Sequence, residues 1–269
     1  MTSAVAPAAL AKANASGRDI VGVTPASGLR YVGFSAHRLA IGESLAARDD
    51  AREACIVVLS GTVDVLAGGE TWKGIGGRAS VFEEVSPYAV YVPPGVDCAV
   101  TARTPSEIAI GRAPARGTLP PRLIEPATMQ RVARGRDANT RYVCDILPET
   151  SPAESLLVVE VLTPSGHSSS YPPHKHDTDA LPGESFLEET YYHRIDPPQG
   201  FVFQRVYTDD RSEDQSFAVE NGDVVIVPRG YHPVCVPYGY RSYYLNVMAG
   251  PRRVWSFRND PRHEWMLAR

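Results

Sequence analysis

The sequence lacks any apolar run near the ~20 residues that a membrane-spanning helix requires, and it has no cluster of Lys and Arg. With a formal net charge of -4, nothing indicates a membrane or nucleic-acid partner. The alanine-rich first residues also lack a basic segment followed by an apolar one, so a secretory signal is not predicted. We expect residues 1–18 to form a flexible tail.

Cysteine is scarce, and its spacing excludes two classes of protein. Cys55, Cys98, Cys144 and Cys235 form no CxxC pair, which argues against a zinc ribbon or a thioredoxin-like protein. Reduced and mostly buried thiols in a cytoplasmic protein are the expectation.

Long helical periodicity is also missing, whereas turn-forming residues are abundant. The 23 prolines and 22 glycines suit many short strands joined by turns. We predict an all-β fold with two tandem barrel or jelly-roll domains, at 19–115 and 146–269. A proline- and arginine-rich connector at 116–145 joins them, and within it "ATMQRVARG" predicts a short helix that ends at Gly135.

The second half contains a group of residues that suits a metal ion. In the extended stretch "SYPPHKHD", His174 and His176 share one face and Lys175 points the other way. Glu188 or Glu189 in "FLEETYYH" adds a carboxylate, and His232 in "VPRGYHP" adds a third imidazole. Such a set leaves positions for water or substrate, as in catalytic metal sites.

Each of these residues also has an ordinary structural interpretation. A lone HxH is common on surface loops, a lone Glu is usually solvated, and His232 could be a satisfied histidine at a strand end. The conjunction of all three in one β-rich half favours a metal site.

This conjunction resembles the cupin pattern. Glu189 is followed by ten residues before Gly200, where six are usual, and His232 comes one residue early after the Pro228-x-Gly230 turn. Together with "LEETYYHRIDPPQGFVFQRVYTDD" and "YYLNVMAGPRRVW", the pattern resembles the bicupin isomerases of bacterial inositol catabolism that act on 5-deoxy-glucuronate. Ser168 stands where that family tends to carry a Trp.

The resemblance implies a two-barrel aldose–ketose isomerase that converts 5-deoxy-D-glucuronate to 5-dehydro-2-deoxy-D-gluconate. It implies one divalent metal ion, zinc or manganese, held by His174, His176, Glu189 and His232. The first half has Asp97 near the place of a ligand histidine, so we expect that half to be metal-free. By analogy with cupins that pair through strand edges, a homo-oligomer is expected.

The sequence does not identify the general base or the group that binds the substrate. Glu188, Tyr207 and Tyr191 are candidates for proton transfer or substrate contact, and Arg205 is a candidate to hold the substrate carboxylate. A related uronate isomerase, a dioxygenase with the same metal cage and a non-catalytic bicupin remain alternatives at this point.

Overall fold

The computed structural model describes residues 6–268. The regular secondary structure of that part is almost wholly strand, so the all-β prediction is confirmed. Within it there are four short 3₁₀ helices, at Pro25–Ser27, Pro126–Thr128, Asp137–Asn139 and Glu264–Ala268. No helix among these residues is long and apolar enough to cross a membrane.

The strands that precede the middle of the chain are β1 (Ala9–Ala11), β2 (Asp19–Val23), β3 (Gly33–Leu39), β4 (Ser44–Ala46), β5 (Arg52–Ser60), β6 (Thr62–Ala67), β7 (Glu70–Gly76), β8 (Ala89–Val92), β9 (Cys98–Ala102), β10 (Ser106–Pro114) and β11 (Arg122–Ile124). The strands that follow are β12 (Gln130–Arg134), β13 (Arg141–Leu147), β14 (Leu157–Thr163), β15 (Ser168–Ser169), β16 (His174–Lys175), β17 (Asp177–Ala180), β18 (Glu184–Phe186), β19 (Glu188–Asp196), β20 (Phe201–Tyr207), β21 (Asp214–Glu220), β22 (Val224–Val227), β23 (Val234–Cys235), β24 (Arg241–Ala249) and β25 (Arg258–Asn259).

Each half of the molecule combines a large sheet with a four-stranded one. The first half has the orders β11-β8-β5-β10-β3-β2 and β4-β9-β6-β7. The second half has β1-β22-β19-β24-β14-β13-β12 and β15-β23-β20-β21, with two further strand pairs, β16-β25 and β17-β18. In each half the large and small sheets contribute to one shared apolar cluster, so the sheets pack face to face.

The two large sheets also pack against each other. A third apolar cluster joins Cys55 and Val57 of β5 with Tyr192 of β19 and Leu245 and Val247 of β24. A central strand of either large sheet is therefore covered on both faces, which explains why residues 54–59 of β5 are continuously apolar.

Buried carboxylates reinforce the junction between the halves. Glu188 of β19 accepts hydrogen bonds from the backbone N–H groups of Arg30, Tyr31 and Val32, at 2.7–3.2 Å. In the opposite direction, Glu53 of β5 accepts three backbone N–H bonds, from residues 154–156 at 2.7–3.0 Å. Each half thus holds the backbone that leads into β3 or β14 of the other half.

The N-terminal tail differs from the prediction. Residues 1–5 lie outside the described part, but Ala9–Ala11 pairs with residues 224–226 as an edge strand of the seven-stranded sheet. Ala8 is buried in the second-half core, so the N-terminal segment is anchored by apolar contact and sheet hydrogen bonds.

The predicted connector is also more regular than expected. The helix predicted within 127–135 is wrong, because Gln130–Arg134 forms a strand antiparallel to β13. Arg122–Ile124 extends the first-half sheet beside β8, whereas β12 and β13 belong to the second-half sheet. The other boundaries proposed for the two domains stay a prediction.

Candidate metal centre

The HxH stretch lies beside the seven-stranded sheet of the second half. His174 pairs with Asn259 of β25, and the backbone carbonyl of His176 accepts a bond from Leu187 just before β19. Lys175 points away from the histidines, and its ammonium contacts Asp177 at 2.5 Å and Glu184 at 3.0 Å. This buried ion cluster holds the chain on either side of the two imidazoles.

Three imidazoles converge at this place. The donor atoms of His174, His176 and His232 lie within 4.8 Å of one another. Oε2 of Glu189 lies 3.1 Å from Nε2 of His176 and 3.2 Å from Nε2 of His232. His176, His232 and Glu189 are buried. The four side chains that the sequence predicts as ligands are therefore gathered into one group, named here the histidine cage.

Hydrogen bonds orient two of the rings toward the centre of the cage. Nδ1 of His176 donates to the carbonyl of Leu187 at 2.9 Å, and Nδ1 of His232 donates to the carbonyl of Gly230 at 2.8 Å. Each ring thereby presents Nε2 inward, an arrangement that metal-binding histidines typically show. Nε2 of His232 is buried with no hydrogen-bond partner among the described residues, so it is an available ligand atom. The donor set fits a divalent ion.

The cage also keeps two of its imidazoles in the form that binds metals. Burial, reinforced by the neighbouring histidines, lowers the pKa of His174 well below its ordinary value, and burial lowers that of His232. For His176, burial acts in the same direction, but the hydrogen bond and charge of Glu189 outweigh it and raise the pKa. A cation would compete with a proton for this His176–Glu189 pair.

Two members of the cage, His174 and Glu189, line a small cavity of about 40 Å³. An outer cavity of about 520 Å³ adjoins it, and both are lined by Arg134, Arg141, His174 and Trp255. Ser170, Tyr191, Tyr244 and Asn246 complete the polar lining of the inner cavity. A small polar molecule could reach the cage through the outer cavity.

Of the residues predicted to act on substrate, the structure brings Tyr191 to the cage. Its ring centroid lies 5.6 Å from that of His232, and its hydroxyl is 3.1 Å from Oγ of Ser170. Tyr191 also lines the inner cavity. It is positioned to contact a bound molecule.

The geometry does not support the predicted roles of Glu188, Tyr207 and Arg205. Glu188 points from the opposite face of β19 toward the first half, where its carboxylate is occupied by backbone N–H groups. The hydroxyl of Tyr207 donates to Asp260 at 2.9 Å. Arg205 forms two bonds to Asp214, at 2.6 and 2.7 Å, on an exposed surface.

Sequence reasoning missed several residues of the cavity, above all Arg141. This arginine opens β13 in a segment that the prolines suggested was a connector. Arg141 and Val143 alternate onto the inner face, and both line the inner cavity. Period-two alternation was the available signal, but it is short and carries little weight without the strand pairing.

The chain matches known proteins along nearly its whole length. It is 55% identical over 250 residues to a protein of Geobacillus kaustophilus, covering 93% of this chain and 91% of that one. It is 53% identical over 247 residues to one of Bacillus subtilis, covering 91% of each chain. Both relatives are named 5-deoxy-glucuronate isomerase.

Solved structures also match the chain along nearly its whole length. An IolB-like protein of Salmonella typhimurium superposes with a TM-score of 0.94 at 48% identity, covering 96% of this chain and 98% of that one. An oxalate decarboxylase of Bacillus subtilis superposes with a TM-score of 0.63 at 12% identity, covering 96% and 80%, which shows a shared fold. The sequence profile described as the KduI/IolB family matches residues 8–266, and the chain belongs to that family.

Proposed function

We propose that this protein is an aldose–ketose isomerase that converts 5-deoxy-D-glucuronate to 5-dehydro-2-deoxy-D-gluconate in inositol catabolism, using one divalent metal ion. The observation that carries the proposal is the histidine cage at a cavity, in a chain more than 50% identical to relatives named for this activity.

The residues of the cavity suit an open-chain sugar acid. When bound by His174, His176, Glu189 and His232, a divalent ion would supply polarisation of the sugar oxygens and so acidify the adjacent C–H bond. The hydroxyls of Tyr191 and Ser170 lie in the same cavity, where they can hydrogen-bond sugar hydroxyls. Trp255 lines both cavities and contributes an apolar surface to them.

Zinc or manganese is the proposed metal. Imidazole nitrogen suits zinc, and a carboxylate beside imidazoles also suits manganese. Elemental analysis of protein purified without added metal distinguishes the two ions, and iron in their place would contradict this part of the proposal.

Proton NMR of the protein with 5-deoxy-D-glucuronate in deuterated water tests the reaction. An enediol route predicts formation of the ketose with deuterium on the carbon next to the carbonyl, because the abstracted proton exchanges with solvent. Product without deuterium would contradict the enediol route. The absence of product from a metal-loaded protein would contradict the isomerase, and oxygen consumption in its place would favour the dioxygenase alternative.

We also infer that the protein acts in the cytoplasm and assembles with copies of itself. All four cysteines are free, and three are buried, as suits a reducing compartment. The partly exposed edge strand β12 supports self-association, since a free strand edge can pair with another. Light scattering should give a multiple of 29.2 kDa, whereas a monomer would contradict the proposed assembly.

A further inference from the structure

The side chain of Arg141 lies at the site, and some of its N–H donors have no acceptor in the described part of the protein. It is partly buried, and it lines both the inner and the outer cavity beside His174. Its Nη1 donates to the carbonyls of Asn139 and Tyr171, each at 3.2 Å. Among residues 6–268, its Nε and Nη2 have no hydrogen-bond acceptor and no carboxylate forms an ion pair with it. Because Arg141 lines both cavities, these donors are available to a molecule bound there.

Two other buried or part-buried arginines, Arg78 and Arg253, are satisfied by the protein itself. Arg78 forms an ion pair with Glu160 at 3.0 Å, and Arg253 donates to three backbone carbonyls at 2.5–2.9 Å. Arg205, the arginine predicted from the sequence to bind substrate, is held by Asp214. Arg141 differs because it combines free donors with a position at the histidine cage.

The charge of the outer cavity points to an anion. Arg134, Arg136 and Arg141 line it, and no Asp or Glu does so among the described residues. Arg134 lies over the ring of Trp255, with 5.7 Å to the ring centroid, and is 3.8 Å from Asp145. An excess of positive charge in a concave site attracts anions and raises their local concentration.

We propose that Arg141 binds the carboxylate of the sugar acid and so sets the specificity for uronates over neutral aldoses. This inference rests on the proposed function of the histidine cage. An open-chain uronate carries its carbonyl at one end and its carboxylate at the other. A guanidinium in the same cavity as the cage can hold the carboxylate while the carbonyl end lies at His174 and Glu189. Arg134 and Arg136 attract the anion at the outer cavity.

The test compares Arg141→Gln and Arg141→Lys with Arg205→Gln as a matched arginine control. Isothermal calorimetry gives the dissociation constant of 5-deoxy-D-glucuronate, and kinetics give kcat/KM for this uronate and for neutral 5-deoxy-D-glucose. Arg141→Gln should weaken uronate binding on the order of 100-fold, as expected for the loss of charge-assisted hydrogen bonds. The preference for the uronate should fall similarly, with metal content unchanged. Arg205→Gln should leave the dissociation constant, the preference for the uronate and the metal content unchanged.

Arg141→Lys keeps the positive charge without the planar fork and should bind the uronate about 10-fold more weakly than the parent. It remains informative if Arg141→Gln does not fold, and uronate binding equal to that of the parent would then overturn the inference. An unchanged uronate preference in Arg141→Gln, whether or not overall activity falls, would also overturn it.

The two proposals fail separately. If the parent protein isomerises the uronate and Arg141→Gln binds it equally well, the role of Arg141 is refuted and the proposed function stands. If the metal-loaded parent binds the uronate through Arg141 without isomerising it, the proposed function is refuted and the role of Arg141 stands.

Discussion

The two halves of the molecule place the same frame of strands around different interiors. β5 lies between β8 and β10, and β19 lies in the same way between β22 and β24. β8 and β22 each end in a valine that precedes a Pro-x-Gly turn. That valine is opposite Ala54 in the first half and opposite Glu189 in the second. Ala54 is therefore the counterpart of the predicted metal ligand Glu189.

The inner faces of these two strands differ at each matched position. Two and four residues after the matched pair Ala54 and Glu189, Ile56 of β5 corresponds to Tyr191 of β19, and Val58 corresponds to His193. The first half fills its interior with apolar side chains, whereas the second half contains titratable groups around a cavity. The turn shows the same contrast, because the counterpart of the buried His232 is Asp97, which is exposed and paired with Arg48.

The outer faces are alike, and this likeness explains Glu188. Its counterpart is Glu53, since they oppose Ala249 and Ala113 in the matched strands β24 and β10. Both carboxylates are buried at the junction and accept backbone N–H groups of the other half. A carboxylate at the matched position of the half that we expect to lack a metal indicates that Glu188 serves the joint between the halves.

The largest expected effect comes from making the second half resemble the first. Glu189→Ala introduces the residue found at the matched position and removes the only carboxylate ligand of the proposed site. We expect isomerase activity to fall on the order of 1000-fold, because metal-ion catalysis contributes several kcal/mol. The control is Asp97→Ala in the first half, and kcat/KM is the measurement. Equal loss in both variants would contradict the assignment of the site to one half.

Removal of either joint carboxylate should have a similar effect on stability. Glu188→Gln and Glu53→Gln each leave buried N–H groups with a weaker acceptor, and we expect a loss of about 3 kcal/mol in the free energy of unfolding. Chemical denaturation is the measurement. If Glu188→Gln reduced kcat strongly while stability and metal content were unchanged, Glu188 would act in catalysis and the symmetry argument would fail.

His193 provides a smaller effect that depends on pH. Burial lowers its pKa to about 4, although the hydrogen bond with Gln204 acts in the opposite direction. The unfolded chain, with a histidine pKa of about 6.5, then binds the proton more readily, so stability falls as pH decreases from 6.5 toward 4. Between pH 7 and pH 5 this group should reduce the free energy of unfolding by about 2 kcal/mol.

His193→Gln should remove that part of the pH dependence, and the part-exposed His263 offers the control His263→Gln. Denaturation curves at both pH values decide the matter. A pH dependence identical in the parent and in His193→Gln would show that His193 does not titrate in this range.

The smallest effect is expected outside the cavity. Arg205→Gln breaks an exposed ion pair with Asp214, which contributes less than about 1 kcal/mol. Activity should change by less than about twofold, because the guanidinium does not line either cavity among the described residues. A large rise in KM would restore Arg205 as the residue that binds the substrate.

The sequence was sufficient for the fold class and for placing His174 and His176 on one face, because strand parity and the HxH spacing depend on local geometry. The choice of Glu189 and His232 came from the resemblance to the cupin pattern. The sequence was insufficient where a partner lies far along the chain. Strand parity places Glu188 and Glu189 on opposite faces of β19. Only the pairing of β19 with β22 determines which of the two faces is turned toward the cage. Arg205 is satisfied by Asp214 on the adjacent strand, and Arg141 faces the cavity only because residues of the predicted connector extend the large sheet.

The most direct test of the account is the metal content of the full chain measured by inductively coupled plasma mass spectrometry. The parent protein and Asp97→Ala should each contain about one zinc or manganese ion per chain. The double variant His174→Ala/His176→Ala should contain almost none and should be inactive. Retention of the metal by the double variant, or loss of it from Asp97→Ala, would contradict the claim that the second half alone holds the ion.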